Sequence, residues 1–191
     1  MHHTEEKIRH SAIKLFMRLG FKKTSVDDIA EDAGIGKGTI YNYFPNKQKL
    51  FDSAVQWRLE QIEASAETAI TDIKRADEKL IAITLSKLAC IRQTRLDEDI
   101  SPAVFMELMQ VQLQNKEYLQ DETQKISDYL QLGIEQGIFS IERPLEKAKL
   151  IHLVLIEFMP RWLLQLTPEE AQEEITNILG MFLEGLLKQQ T

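Results

Sequence analysis

Between residues 37 and 47 the chain gathers side chains suited to binding a polyanion with flat, hydrogen-bonding edges. They are Lys37, Thr39, Tyr41, Asn42, Tyr43 and Lys47, with Gly38 among them. An Asn carboxamide sets one donor beside one acceptor, the pattern that pairs with an adenine edge in a DNA major groove. Tyr and Thr hydroxyls donate to phosphates, and a Thr methyl packs on a thymine methyl. Gly38 has no side chain to hold a backbone away from a large partner. Lys37 and Lys47 each stand at a predicted helix start, where the helix dipole slightly disfavours a cation. Phosphates would settle that charge and the unpaired N–H groups there. The plain alternative is an exposed lysine that tolerates so small a cost.

These side chains need a short helix to present them, and 37–44 is one. At about 100° per residue, Ile40 and Phe44 share the inner face. Gly38 and Asn42 point away, Thr39 and Tyr41 flank them, and Tyr43 lies nearer the inner edge. A helix precedes it: Ser25-Val26-Asp27-Asp28 reads as a capping box with Asp in place of Glu, and Val26, Ile29, Ala30 and Ala33 form its apolar stripe. Gly34-Ile35-Gly36 breaks the two helices, which together match a helix-turn-helix. A first helix over 4–19 carries Ile8, Ala12, Leu15, Phe16 and Leu19, and Gly20 ends it. Pro45 stops the third helix, and Asn46 caps a long fourth one with Leu50, Phe51, Ala54 and Trp57 on one side.

The segment 24–51 closely resembles the signature of the TetR family of regulators. The matching residues are Thr24 to Ala30, Ala33 to Phe44, Asn46, Lys47, Leu50 and Phe51, with Ala12, Leu15, Phe16, Gly20 and Phe21 before them. The resemblance covers about the first quarter of the chain. It implies a DNA-facing set of Thr24 or Ser25, Lys37, Gly38, Thr39, Tyr41, Asn42, Tyr43 and Lys47, with 37–44 as recognition helix and Asn42 as a specificity residue.

Beyond the fourth helix the resemblance is one of architecture. Helices are expected over 77–95, from Pro102 to near Asn115, from there to 136 with Gly137 as stop, from Pro144, and from the capping run Thr167-Pro168-Glu169-Glu170. The fold class is therefore all-α with about nine helices. Residues 1–46 are expected to form the DNA-binding domain, 47–75 the connecting helix, and 76–191 a ligand-binding and dimerisation bundle.

In the family the last two helices form a dimeric four-helix bundle. The expected interface is Ile151, His152, Leu155, Met159 and Trp162 on the eighth helix, and Ile175, Ile178, Leu179, Phe182, Leu183 and Leu186 on the ninth. Leu187 extends that stripe, and Gly180 and Gly185 would let another helix come close. The eighth helix has a second apolar face, with Leu150, Leu153, Val154 and Leu164, and Glu157 among them. Burial in a monomer core is the alternative to a dimer. Pro160 should kink or end this helix, with Glu157 and Arg161 one turn apart and able to pair.

An effector pocket is expected between the fifth and eighth helices. Its candidate lining is Thr84, Lys87, Leu88, Ile91, Phe105, Met109, Tyr118, Tyr129, Glu157 and Phe158, although ordinary core packing explains each of them alone. Aromatics and methionines lean toward a hydrophobic or amphipathic ligand.

Composition sets limits. The net charge is −7, but residues 1–51 hold nine Lys and Arg against six Asp and Glu. A basic head on an acidic body leaves DNA contact to the head. Cys90 alone forms no internal disulfide and fits a reducing compartment, so the expected location is the cytoplasm. The stretch 150–166 is broken by His152, Glu157, Pro160 and Arg161, so no membrane span is expected. There is no metal-ligand spacing, P-loop, dinucleotide glycine pattern or G-x-S-x-G motif, so no metal, cofactor or catalytic residue is assigned. His2 and His3 are given no role.

Two other classes remain open. A helical enzyme or binding protein with a look-alike head would show no salt-sensitive DNA affinity. An effector-free DNA binder would show affinity that no metabolite alters. The expected partners are double-stranded operator DNA, a second copy of the chain and a small-molecule effector.

Overall fold

The computed structural model describes residues 2–186, leaving aside the side chain of His2. Among the described residues there are nine helices: α1 (His2–Leu19), α2 (Val26–Ala33), α3 (Lys37–Tyr43), α4 (Lys47–Ala69), α5 (Ala76–Asp97), α6 (Pro102–Gln112), α7 (Lys116–Glu135), α8 (Pro144–Leu164) and α9 (Pro168–Glu184). The all-α expectation holds. The chain forms two compact units. One joins residues up to Ile62 with Gln93–Tyr118; the other joins Glu63–Arg92 with the chain from Leu119 onward.

In the first unit, capping chemistry sets the helix starts. The Ser25 hydroxyl accepts from Asp28 N–H while the Asp28 carboxylate accepts from Ser25 N–H, so both orphan donors are met. Asn46 Oδ1 accepts from Lys49 N–H at 2.8 Å at the start of α4. Gly34 ends α2 at φ +61°, a left-handed conformation that glycine adopts at no steric cost. The core is Ile8, Ala12, Leu15, Phe16, Ile29, Ile40, Phe44, Leu50, Phe51 and Ala54. Phe16, Phe21 and Phe51 meet in two edge-to-face contacts and one stack. Leu108 and Val111 of α6 pack onto this cluster.

The second unit buries Leu80, Ile83, Leu130, Ile151, Trp162, Leu163, Ile175 and Leu179. Pro160 does not end α8, which runs on to Leu164. One backbone hydrogen bond is lost there, but buried Leu155, Trp162 and Leu163 hold the helix on either side. Arg161 does not pair with Glu157. It reaches across to Glu174 of α9 at 3.1 Å, so α8 and α9 are tied side by side. Gly133 carries the Phe139 ring against its backbone, and a methyl there would overlap the ring.

Candidate nucleic-acid interface

The outward face of α3 is set by what its inward face buries. Ile40 is 1% exposed and Phe44 5%, both locked into the aromatic cluster. The helical period then turns Gly38, Tyr41 and Asn42 outward, and all three are exposed, Tyr41 at 44%. A Cβ at Gly38 would have nothing within 4 Å, so the ground in front of it is open. Thr39 and Tyr43 are half-buried at the flanks. Exposed phenol, carboxamide and bare backbone thus stand on one short helix, which can touch both phosphates and base edges.

Thr24 is not part of that surface. It is 1% exposed, and its hydroxyl donates back to the carbonyls of Gly20 at 2.8 Å and Leu15 at 3.2 Å. Its place in the DNA-facing set is therefore corrected: its polarity serves the α1–α2 loop. Ser25 is half-buried and its hydroxyl serves the α2 cap.

The two lysines differ. Lys37 is exposed and paired with Asp27 at 2.8 Å, which raises its pKa and keeps it charged. An exposed pair of this kind is a weak tie, readily exchanged for a phosphate. Lys47 is half-buried. Its ammonium donates to the carbonyls of Phe21 at 2.8 Å and Thr24 at 3.0 Å and sits 4.4 Å over the Phe21 ring. Two of its three donors are thus engaged inside the head, so holding the α1–α2 loop accounts for Lys47 without a phosphate.

The candidate effector residues do not form one set. Phe105, Met109 and Tyr118 lie in the first unit; Thr84, Lys87, Leu88, Ile91, Tyr129, Glu157 and Phe158 lie in the second. Glu157 is exposed, which removes it from an interior lining. Lys87 is held by Glu63 and by Glu122, at 3.3 Å from the latter, and Lys125 bridges the same two carboxylates. Burial raises the Glu122 pKa, but the two lysines outweigh it and hold the carboxyl below its ordinary range. Tyr129 donates to Glu67, and burial with that carboxylate raises its phenol pKa. Thr84 bonds the Leu80 carbonyl, Leu88 is 8% exposed, Ile91 is half-buried, and Phe158 stacks on Trp162 with centroids 5.8 Å apart. Periodicity did not single out Glu63, Glu67 and Glu122; acidic residues on otherwise half-apolar helices were the available signal.

The expected dimer residues also need correction. Ile151, His152, Leu155, Trp162, Ile175, Leu179 and Leu183 are all buried within the single chain. They pack its own core and each keeps at most 9% of its surface exposed. Met159, Ile178, Phe182 and Leu186 are half-buried, and Leu187 lies outside the described residues. His152 Nδ1 lies 2.7 Å from the Thr123 hydroxyl, which is also 2.8 Å from the Leu119 carbonyl. Burial lowers its pKa, with Lys87 adding to the effect and Glu122 opposing it. On α8 and α9 the large apolar side chains left exposed are instead Leu145 at 42%, Leu150 at 53%, Leu153 at 62% and Met181 at 75%. A groove of about 240 Å³ runs beside them, lined by Lys147, Leu150, Ile151, Met181, Phe182, Gly185 and Leu186. A Cβ at Gly180 would meet nothing within 4 Å, and at Gly185 only backbone of its own segment, so neither glycine admits another helix of this chain.

Among the described residues no helix is long and apolar enough to cross a membrane. Nor does any group of three or more His, Cys, Asp or Glu stand ready to hold a metal.

This architecture is that of a helix-turn-helix DNA-binding regulator. Residues 8–54 match the family described as bacterial regulatory proteins, tetR family. The chain is 30% identical over 134 residues to YhgD, an uncharacterized HTH-type transcriptional regulator of Bacillus subtilis, covering 70% of this chain and 68% of YhgD. Its fold is similar to that of a TetR-family regulator from Pectobacterium atrosepticum, with TM-score 0.74 and 19% identity over 100% of this chain and 97% of the other. It is also similar to FadR from Bacillus subtilis, solved in complex with stearoyl-CoA, with TM-score 0.66 and 20% identity over 97% and 99% of the two chains. The chain belongs to the TetR family of transcriptional regulators.

The lysine geometry makes a separable prediction. Lys37→Ala should lower the slope of log affinity against log salt by about 0.9, the amount expected for one lost phosphate contact. Lys47→Met should leave that slope unchanged and cost about 2 kcal/mol of stability through two lost hydrogen bonds. DNA titrations across a salt series, with thermal melts of the same samples, decide the matter. A slope that falls equally for both variants would return Lys47 to the phosphate-binding set.

Proposed function

We propose that the chain is a ligand-responsive repressor that binds a near-palindromic operator as a homodimer. The observation that carries the DNA half is the outward face of α3, where Gly38, Tyr41 and Asn42 stand exposed on a helix pinned from behind. On this reading Asn42 reads a base, Tyr41 and Lys37 hold phosphates, Thr39 and Tyr43 contact the flanks, and Gly38 admits the backbone. Ser25 presents the start of α2 to a phosphate. Two copies would set their recognition helices about one turn of DNA apart, ~34–36 Å.

The homodimer is proposed to form on the exposed side of α8 and α9. Leu150, Leu153 and Met181 supply the contact, Ile178, Phe182 and Leu186 its edge, and Gly180 the room for a close helix crossing. Leu150 and Met181 share one groove with Phe182 and Leu186, and exposed apolar side chains grouped in this way mark an association surface. The protein would act in the cytoplasm, where its DNA is. It needs no cofactor or catalytic group for this role.

The effector is proposed to be amphipathic with a large apolar part. It would be held in the second unit around Thr84, Leu88, Ile91 and Phe158, with the ion pairs of Lys87 and the Tyr129 hydroxyl bordering it. The likeness to FadR, solved with stearoyl-CoA, supports this class. Helix α4 is continuous from Lys47 to Ala69 and crosses from one unit to the other, so it is one covalent route by which an effector reaches the head. The effector shifts the DNA-binding equilibrium only by its difference in affinity between the two forms.

Two experiments test these parts separately. Leu150→Glu with Leu153→Glu should give monomers in sedimentation and lower affinity for a two-half-site operator by about a hundredfold or more, the avidity of two linked heads. A dimer that persists would move the interface elsewhere. Stearoyl-CoA titrated into the wild-type operator complex should release the DNA. Release by a short-chain acyl-CoA at the same concentrations, or by neither, would remove the long apolar part from the effector class.

A further inference from the structure

The loop between α1 and α2 is gripped by charged groups from two other helices of its own unit. Lys22 N–H donates to Oε1 of Glu107, on α6, at 2.8 Å. The Lys47 ammonium, at the start of α4, binds the carbonyls of Phe21 and Thr24. Thr24 closes the loop on itself through the Gly20 and Leu15 carbonyls. A carboxylate therefore holds a donor of this loop, while an ammonium holds two of its acceptors.

Gly20 is what lets Glu107 come so near. It sits at φ +86°, and a Cβ there would stand 2.9 Å from Glu107 Oε2 and 3.3 Å from its Cδ. The loop leads directly into the Ser25 cap of α2, and α2 leads through Gly34 into α3. Its geometry thus sets the angle at which the helix-turn-helix leaves α1.

A carboxylate here is electrostatically odd. It adds negative charge to the unit that must approach phosphate. Leu108 and Val111 already supply apolar packing of α6 on the head. What the carboxylate adds is a charge-assisted hydrogen bond to a backbone donor, which is stronger and more directional than a neutral one.

We propose that Glu107 is a positioning residue for DNA recognition: from α6 it fixes the α1–α2 loop, and through it the setting of α2 and α3. It touches no DNA. Helix α6 lies in the first unit, yet the chain on either side of 93–118 belongs to the second. A displacement of α6 by an ångström or two breaks a 2.8 Å bond, so the reading head registers it at Glu107. The inference rests on the DNA-binding reading of α3.

The sign of the effect separates positioning from simple charge. Glu107→Ala should weaken binding to the operator by about tenfold and speed exchange of the Lys22 amide, read by NMR. Glu107→Gln keeps an acceptor oxygen but makes only a neutral hydrogen bond, so it should recover part of the affinity lost in Glu107→Ala and slow that exchange part of the way back. If Glu107 acted only by its charge, both variants would bind DNA more tightly than wild type, which would overturn the proposal. Equal losses in both variants at temperatures where each is fully folded would overturn it too, as would a Lys22 amide unchanged in Glu107→Ala. Failure of wild type itself to select any DNA sequence would sink the reading of α3 instead; the amide measurement, made without DNA, would still decide the loop contact.

Discussion

The burial of Ile40 and Phe44 beneath α3 is the contact on which the head depends. A helix of two turns has little stability of its own. Here it is held from behind by a cluster built on Phe16, Phe21 and Phe51, and its front is left free of structural duty. Gly34 supports this by ending α2 in a left-handed turn that brings α3 back onto the same core. The exposed residues of α3 can then be chosen for what they touch.

The loop before α2 shows how polar groups serve the same purpose from inside. Thr24, Lys47 and Glu107 all carry chemistry that would suit a nucleic-acid surface or oppose one, and all three act on backbone atoms of 15–24. The second unit uses the same device on a larger scale. Glu63, Lys87, Glu122 and Lys125 alternate in sign across α4, α5 and α7, so each buried or half-buried charge meets its opposite. A network of this kind fixes which helices are neighbours more than it adds stability.

Much of this was legible in the residues and some was not, for definable reasons. Helix starts were visible because Ser25, Asn46, Pro102, and Thr167 with Glu170 carry local helix-start chemistry, while the Ser101 cap of α6 was not singled out. The outward set on α3 was visible because Ile40 and Phe44 share one face and polar residues share the other. On α8 both faces are apolar, and periodicity finds two faces without saying which turns inward. The face with Ile151, Leu155 and Trp162 went to the core, and the one with Leu150 and Leu153 stayed outside. Thr24 and Lys47 could not be placed because their partners are backbone carbonyls, which leave no trace in side-chain pattern. Arg161 had two acidic neighbours within reach, one a turn away and one on α9, and only packing chose Glu174.

The most direct test of the central claim is selection of bound sequences from a random DNA pool by the purified protein, repeated with Asn42→Ala. The account predicts an enriched inverted repeat with half-sites about one helical turn apart. It also predicts that the variant relaxes preference at a single base position in each half-site, by ~1–3 kcal/mol. Enrichment of no sequence at moderate salt, or an even loss across all positions in the variant, would contradict the assignment of α3 as the helix that reads DNA.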